Sequence, residues 1–199
     1  MYDFDTLLDR RGTDCTKWDA LSRDFGDPDL MPFWVADMDF KCLPELNEAL
    51  RARTVEATYG YTFAGERYFR SITDWYGRRH GVAVAQDEII NVPGVLTGIH
   101  MALAALGKRG DRIIINTPVY PPFFSFDENG RYRLLRSPLR EEQGRYFLDF
   151  ADLEEKMKRG AQFYLLSSPH NPSGRIWSLE ELNEVATLCH RYGEIGRAH

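Results

Sequence analysis

From position 89 onward the chain alternates between short, mainly apolar stretches and longer segments whose apolar residues recur every three or four positions. The short stretches are residues 89–92, 112–116, 132–136 and 163–167. Continuous apolar character of this kind marks a strand covered on both faces, since a strand with one wet face alternates. Between them, residues 95–106 place Val95, Ile99, Leu103 and Leu106 on one helical face, with Gly107 or Gly110 as the stop. A further helix is predicted over 151–158. The last begins at Ser178, whose side chain can cap the Glu181 amide while Glu181 reaches back. Strands separated by helices predict an α/β fold, a mainly parallel sheet with flanking helices.

The upstream pattern differs. Residues 1–44 are irregular, rich in Asp, Gly and Pro around an aromatic segment, and read as an N-terminal arm. Pro44 opens a helix over 45–53, with Leu46, Ala49 and Leu50 at helical spacing. A second helix over 66–79 carries Phe69, Ile72 and Tyr76 as its expected buried stripe and ends at Gly81. Residues 45–193 are then a large domain, and 194–199 stand apart as a tail. No internal repeat or low-complexity segment occurs.

Composition narrows the class. Of 199 residues, 43% are hydrophobic and 28% charged, as in a soluble globular protein. No apolar run reaches the roughly 18–20 residues of a membrane span. The acidic, aromatic start lacks the pattern of a secretory signal, so the cytoplasm is the expected compartment. A net charge of −5 gives no reason to expect nucleic acid or an anionic membrane as partner. Cys15, Cys42 and Cys189 are far apart and suggest neither a disulfide framework nor a metal site.

In open α/β sheets ligands collect beyond the carboxyl ends of the strands. Three segments fall there. Pro93-Gly94-Val95 follows the first strand and opens a helix, whose unpaired N–H groups and positive dipole end suit a phosphate. An ordinary strand-to-helix turn has the same residues. Tyr120, between Pro118 and Pro121-Pro122, sits in a turn that fixes its ring as stacking on a flat cofactor requires; a tyrosine in any rigid loop reads alike. Asn171, between His170 and Pro172, can donate an amide hydrogen to a ring oxygen, or simply form a turn. No Walker loop and no GxGxxG is present, so ATP and nicotinamide readings lack support.

Together, Pro-Gly-Val, Asn116-Thr117-Pro118-Val119-Tyr120-Pro121-Pro122-Phe123 and Ser167-Ser168-Pro169-His170-Asn171-Pro172-Ser173-Gly174 resemble the fold-type I enzymes dependent on pyridoxal 5'-phosphate (PLP). Cys15-Thr16-Lys17-Trp18-Asp19, Trp34-Val35-Ala36-Asp37-Met38-Asp39-Phe40 and Tyr59-Gly60-Tyr61-Thr62 sharpen the likeness to the MalY/PatB branch of cystathionine β-lyases, or C–S lyases. The likeness runs from Met1 to Gly193. It implies that the backbone of Gly94, Val95 and Leu96 binds the PLP phosphate, that Tyr120 stacks on the pyridine, and that Asn171 bonds its phenolic oxygen. It implies that Tyr61 reaches the phosphate of a neighbouring subunit, making the intact enzyme a homodimer, and that Val35, Ala36 and Asp37 lie near the substrate carboxylate. The implied reaction cleaves a sulfur amino acid to thiol, pyruvate and ammonia, with PLP as electron sink. An aminotransferase shares these motifs. A regulatory protein-binding role, as MalY has, finds no surface in this sequence to identify it.

The family's Schiff-base lysine, its pyridine-binding aspartate and its carboxylate-binding arginine come later in the chain than this sequence reaches. Lys17, Lys41, Lys108, Lys156 and Lys158 lie outside the family's lysine motif, so no catalytic residue is assigned. After Gly193 the family continues into an apolar strand, whereas Glu194-Ile195-Gly196-Arg197-Ala198-His199 reads like a translated sequencing adapter. The expectation is an N-terminal half. Alone it exposes apolar strand edges, dissolves poorly and does not hold PLP.

Overall fold

The structure is a computed structural model that describes residues 2–128 and 130–193, and the backbone of residues 195–198. It divides into two units, Met1–Ala83 and Val84–His199.

The N-terminal unit contains α1 (Thr16–Asp19), α2 (Leu21–Phe25), α3 (Pro44–Val55) and α4 (Glu66–His80). Pro44 occupies the first position of α3, where its missing N–H costs nothing. Gly81 ends α4 at φ +66°, a left-handed conformation that glycine adopts without strain. The stripes expected on these helices are not buried. Leu46 and Leu50 are 48% and 57% exposed, Tyr76 is 44% exposed, and Phe69 and Ile72 are half-buried. Helical spacing shows which face is apolar, but burial needs a second surface. Among the described residues of this unit the buried ones are Cys15, Ala20, Leu21 and Pro32.

The C-terminal unit begins with α5 (Val95–Leu106), then β1 (Arg112–Thr117), α6 (Ser125–Glu128) and β2 (Arg133–Pro138). A hairpin of β3 (Arg140–Glu142) and β4 (Arg145–Phe147) follows, then α7 (Phe150–Lys158), β5 (Phe163–Leu166), α8 (Leu179–Tyr192) and β6 (Ile195–Ala198). The sheet has the order β2-β1-β5-β6, and every pairing in it is parallel. The fold is α/β. Ile114 lies opposite Leu135 of β2 and Tyr164 of β5.

Alternate residues of a strand face opposite sides, and both sides here are covered. Ile113, Ile115, Phe163 and Leu165 pack with Leu103 of α5, Phe123 and Phe126. Ile114, Tyr164 and Leu166 pack with Leu153 and Met157 of α7 and Val185 and Leu188 of α8. Ile113, Ile114 and Ile115 are wholly inaccessible, and each contributes about 1.5–3 kcal/mol of burial. The helices start where their caps place them. The Asp149 carboxylate accepts the Asp152 amide at 3.0 Å before α7, and Ser178 and Glu181 form the expected reciprocal box before α8.

Two regions depart from expectation. Residues 89–92 form no strand: Ile89 has extended backbone at φ −103°, ψ 117°, yet the segment joins no ladder and Ile90 is 82% exposed. An apolar run sets up an extended backbone, but a strand exists only with a neighbour to hydrogen-bond. The β3–β4 hairpin was not anticipated, and its residues are polar or half-buried. Its turn, Gln143-Gly144, has φ +54° and +75°, the two left-handed residues of a tight hairpin loop. Of the six-residue tail, Ile195–Ala198 runs parallel to β5, while Glu194 and His199 lie outside the described residues.

Candidate cofactor site

Because β1 and β5 are parallel neighbours, the chain leaves both at the same end of the sheet. The segment after β1 carries Tyr120, and the segment after β5 carries Ser167 and Asn171. These residues line one cavity of about 520 Å³ together with residues 93–97, at the start of α5, and Phe123. Gly94, Val95, Leu96, Tyr120 and Asn171 are thus brought together.

Gly94 adopts φ +99°, ψ 156°, a region that is almost exclusive to glycine. Its amide turns back to the Val92 carbonyl at 2.8 Å, and its carbonyl accepts the first helical bond, from Gly98 at 3.1 Å. The amides of Val95, Leu96 and Thr97 therefore have no intrahelical acceptor and end the helix as free donors. A twelve-residue helix adds a positive dipole end equivalent to roughly half a charge. An anion is favoured there.

Tyr120 is 38% exposed, with its ring 6.0 Å from Phe123 and inclined at 77° to it. Pro121–Phe124 is a single 3-10 turn that sets this geometry. The Asn171 amide bonds to Ser167 Oγ at 3.4 Å, while its side chain is exposed on the cavity side. Trp177 Nε1 donates to the Ser167 carbonyl at 2.7 Å, and the His170 and Arg175 backbones bond at 2.8 Å, bracing this loop from below. His170 is 2% exposed, and its Nδ1 meets Ser173 Oγ at 2.8 Å. Burial lowers the His170 pKa, opposed by the Asn116 carbonyl. His170 Nε2 has no hydrogen-bond partner among the described residues.

Phe123, Thr97 and Ser167 line the cavity but were not singled out from sequence. Their only signal was proximity in the chain to Tyr120, Gly94 and the end of an apolar run.

Tyr61, Val35, Ala36 and Asp37 belong to the N-terminal unit. Tyr61 is fully exposed, Val35 is half-buried and Ala36 exposed. The Asp37 carboxylate is held by Arg10 Nη1 at 2.7 Å, and its carbonyl by Lys17 Nζ at 2.8 Å. Lys17 also pairs with Asp39 at 2.7 Å, and Trp18 Nε1 donates to Asp39 at 3.0 Å. These two donors, Lys17 first, hold the Asp39 pKa below its ordinary value. The Asp37 carboxylate is therefore already engaged by Arg10 within this unit. A larger cavity, of about 800 Å³, lies in the same unit between residues 2–4 and the start of α3.

An open parallel sheet with a cavity at its strand ends, floored by a free helix N-terminus, defines an α/β protein of the ligand-binding kind. Residues 28–195 match the family of class I and II aminotransferases, and the chain belongs to that family. It is 40% identical over 192 residues to cystathionine beta-lyase PatB of Bacillus subtilis, covering 96% of this chain and 49% of that protein. It is 32% identical over 195 residues to protein MalY of Escherichia coli, covering 97% and 50%. Among solved structures, cystalysin from Treponema denticola, which contains a PLP cofactor, superimposes with a TM-score of 0.91 at 34% identity. That match covers 100% of this chain and 51% of cystalysin. The chain spans about half the length of these relatives.

Proposed function

We propose that this chain is the N-terminal half of a PLP-dependent C–S β-lyase, cleaving a sulfur amino acid to thiol, pyruvate and ammonia. The observation that carries this reading is the single cavity shared by Gly94–Thr97, Tyr120 and Asn171. The residues present suit the cofactor. Free amides and a helix dipole match its phosphate, a half-exposed aromatic face matches its ring, and an amide side chain matches its phenolic oxygen. Relatives named as a cystathionine beta-lyase and as PLP-containing cystalysin support the same choice.

When bound, PLP supplies an electron sink that stabilises negative charge at the amino acid's Cα. The roles of this chain are binding and orientation. The Val95, Leu96 and Thr97 amides hold the phosphate, charge-assisted bonds contributing about 1.5–3 kcal/mol each. Tyr120 covers one ring face and excludes water from it. Asn171 would donate to the phenolic oxygen and orient the ring. Residues 35–37 lie near the substrate carboxylate, and Tyr61 serves the phosphate of a second subunit in a cytoplasmic homodimer. The Schiff-base lysine, the ring-nitrogen aspartate and the carboxylate arginine belong to the remaining half.

Incubating the full-length protein with cystathionine tests the reading. Stoichiometric pyruvate and thiol are expected. Exchange of amino groups with added keto acids, without pyruvate, would make it an aminotransferase instead.

A further inference from the structure

Inside the sheet, under the rim of the cavity, lies a set of polar groups that the binding roles above leave unused. Asn116 is the last residue but one of β1, the strand flanked by β2 and β5. It is 2% exposed. Its Oδ1 accepts the Tyr164 hydroxyl of β5 at 2.6 Å, and its Nδ2 lies 3.5 Å from the Ser137 carbonyl of β2. Ser137, wholly buried, donates to Asp152 Oδ2 at 2.5 Å, and Asp152 is paired with Lys156 on α7. The chain of bonds crosses three strands and reaches a helix. It does so at the level where the strands give way to the loops.

Burying such groups costs several kcal/mol unless every partner is supplied, and an apolar pair would fill this space as well. Tyr164 is wholly buried and lies opposite Ile114, so a phenylalanine would keep the packing. What the hydroxyl adds is direction. The backbone ladder sets the β1–β5 register but pairs the strands no further than Ile115 with Leu165, so the Asn116–Tyr164 bond fixes the offset of the last residues of β1, beyond that pair, against β5. Four residues after Asn116 comes Tyr120; three residues after Tyr164 comes Ser167, with Asn171 beyond. An error in that offset would displace Tyr120 against Asn171.

We infer that Asn116 and Tyr164 are positioning residues, whose hydrogen bond holds the Tyr120 loop in register with the Asn171 loop. The inference rests on the proposed PLP-binding function. Positioning of this kind is separable from stability, because the pair can be removed as a unit. Tyr164→Phe leaves Asn116 Oδ1 buried without a donor. Asn116→Leu with Tyr164→Phe removes both polar groups and approaches neutrality for stability.

The test titrates PLP into the full-length apo-protein, following tryptophan fluorescence, with thermal unfolding measured in parallel. Tyr164→Phe is expected to lower the unfolding temperature and raise the Kd for PLP roughly tenfold, the equivalent of one lost hydrogen bond. The double variant is expected to recover the unfolding temperature while its Kd stays raised. An unchanged Kd in Tyr164→Phe overturns the inference, as does a double variant that recovers both quantities. If the double variant does not fold, Tyr164→Phe decides alone. Failure of the parent protein to bind PLP is a different result: it removes the proposed function and this inference with it.

Discussion

Replacing Gly94 by alanine isolates the backbone's part in the site. At φ +99°, ψ 156° an ideal Cβ on residue 94 would meet nothing within 4 Å, so the substitution introduces no clash with its surroundings. The whole effect comes from local conformation. Holding an L-residue in that region costs about 1–3 kcal/mol. Stiffening the unfolded chain returns about 0.4–1 kcal/mol, so the net loss is about 1–2 kcal/mol. If the backbone relaxes to escape the strain, the free amides of α5 rotate away and phosphate affinity drops instead. Gly98→Ala is the matched control. Its Cβ would lie 3.0 Å from Val92 Cγ2, but Val92 is 37% exposed and has room to give, while alanine in a helix interior gains about 1 kcal/mol. Urea denaturation of the full-length protein with and without PLP measures both variants. Gly94→Ala is expected to lose stability, PLP affinity or both, with Gly98→Ala near neutral. A Gly94→Ala protein that matches the parent in both would refute the assignment of that backbone to the site.

Three further outcomes follow from the same geometry. Gly107→Ala would place Cβ 2.8 Å from Phe163 Cε2 and from the Leu103 carbonyl, and Phe163 is 1% exposed; a loss of about 1–3 kcal/mol is expected by chemical denaturation. Asn171→Ala removes an exposed side chain, so the unfolding temperature should hold while the Kd for PLP rises roughly tenfold. His170 is buried with a lowered pKa, so between that value and the ordinary 6.5 the unfolded chain binds more protons than the folded one. Its contribution is complete above pH 6.5 and is lost as pH falls through the folded pKa. Denaturation midpoints measured from pH 7.5 down to 5 should decline with a one-proton slope at most, about 1.4 kcal/mol per unit, and His170→Gln should flatten that slope.

What could be read before the structure was mostly local. The α5 start at Gly94, the Ser178–Glu181 box and the apolar runs of β1 and β5 each carry their signal within a few residues. The misses were non-local. Residues 89–92 have strand composition but no ladder, and Leu46, Leu50 and Tyr76 have helical spacing but no covering surface. The β3–β4 hairpin hid because Arg140, Glu141 and Glu142 are exposed and polar, leaving the Gln143-Gly144 turn as its one cue. The site was legible as three motifs expected on one side of the sheet, beyond the carboxyl ends of its strands. That they face one cavity follows from the parallel pairing of β1 with β5, and composition does not state which strands are neighbours. The buried Asn116–Tyr164 bond is of the same kind: two ordinary residues, 48 positions apart, that only the strand register brings to 2.6 Å.

The sharpest experiment is a crystal structure of the full-length protein with PLP. The phosphate should lie on the Val95, Leu96 and Thr97 amides, with the ring against Tyr120 and its phenolic oxygen at Asn171. A cofactor held elsewhere, with α5's amino end facing only solvent, would contradict the account.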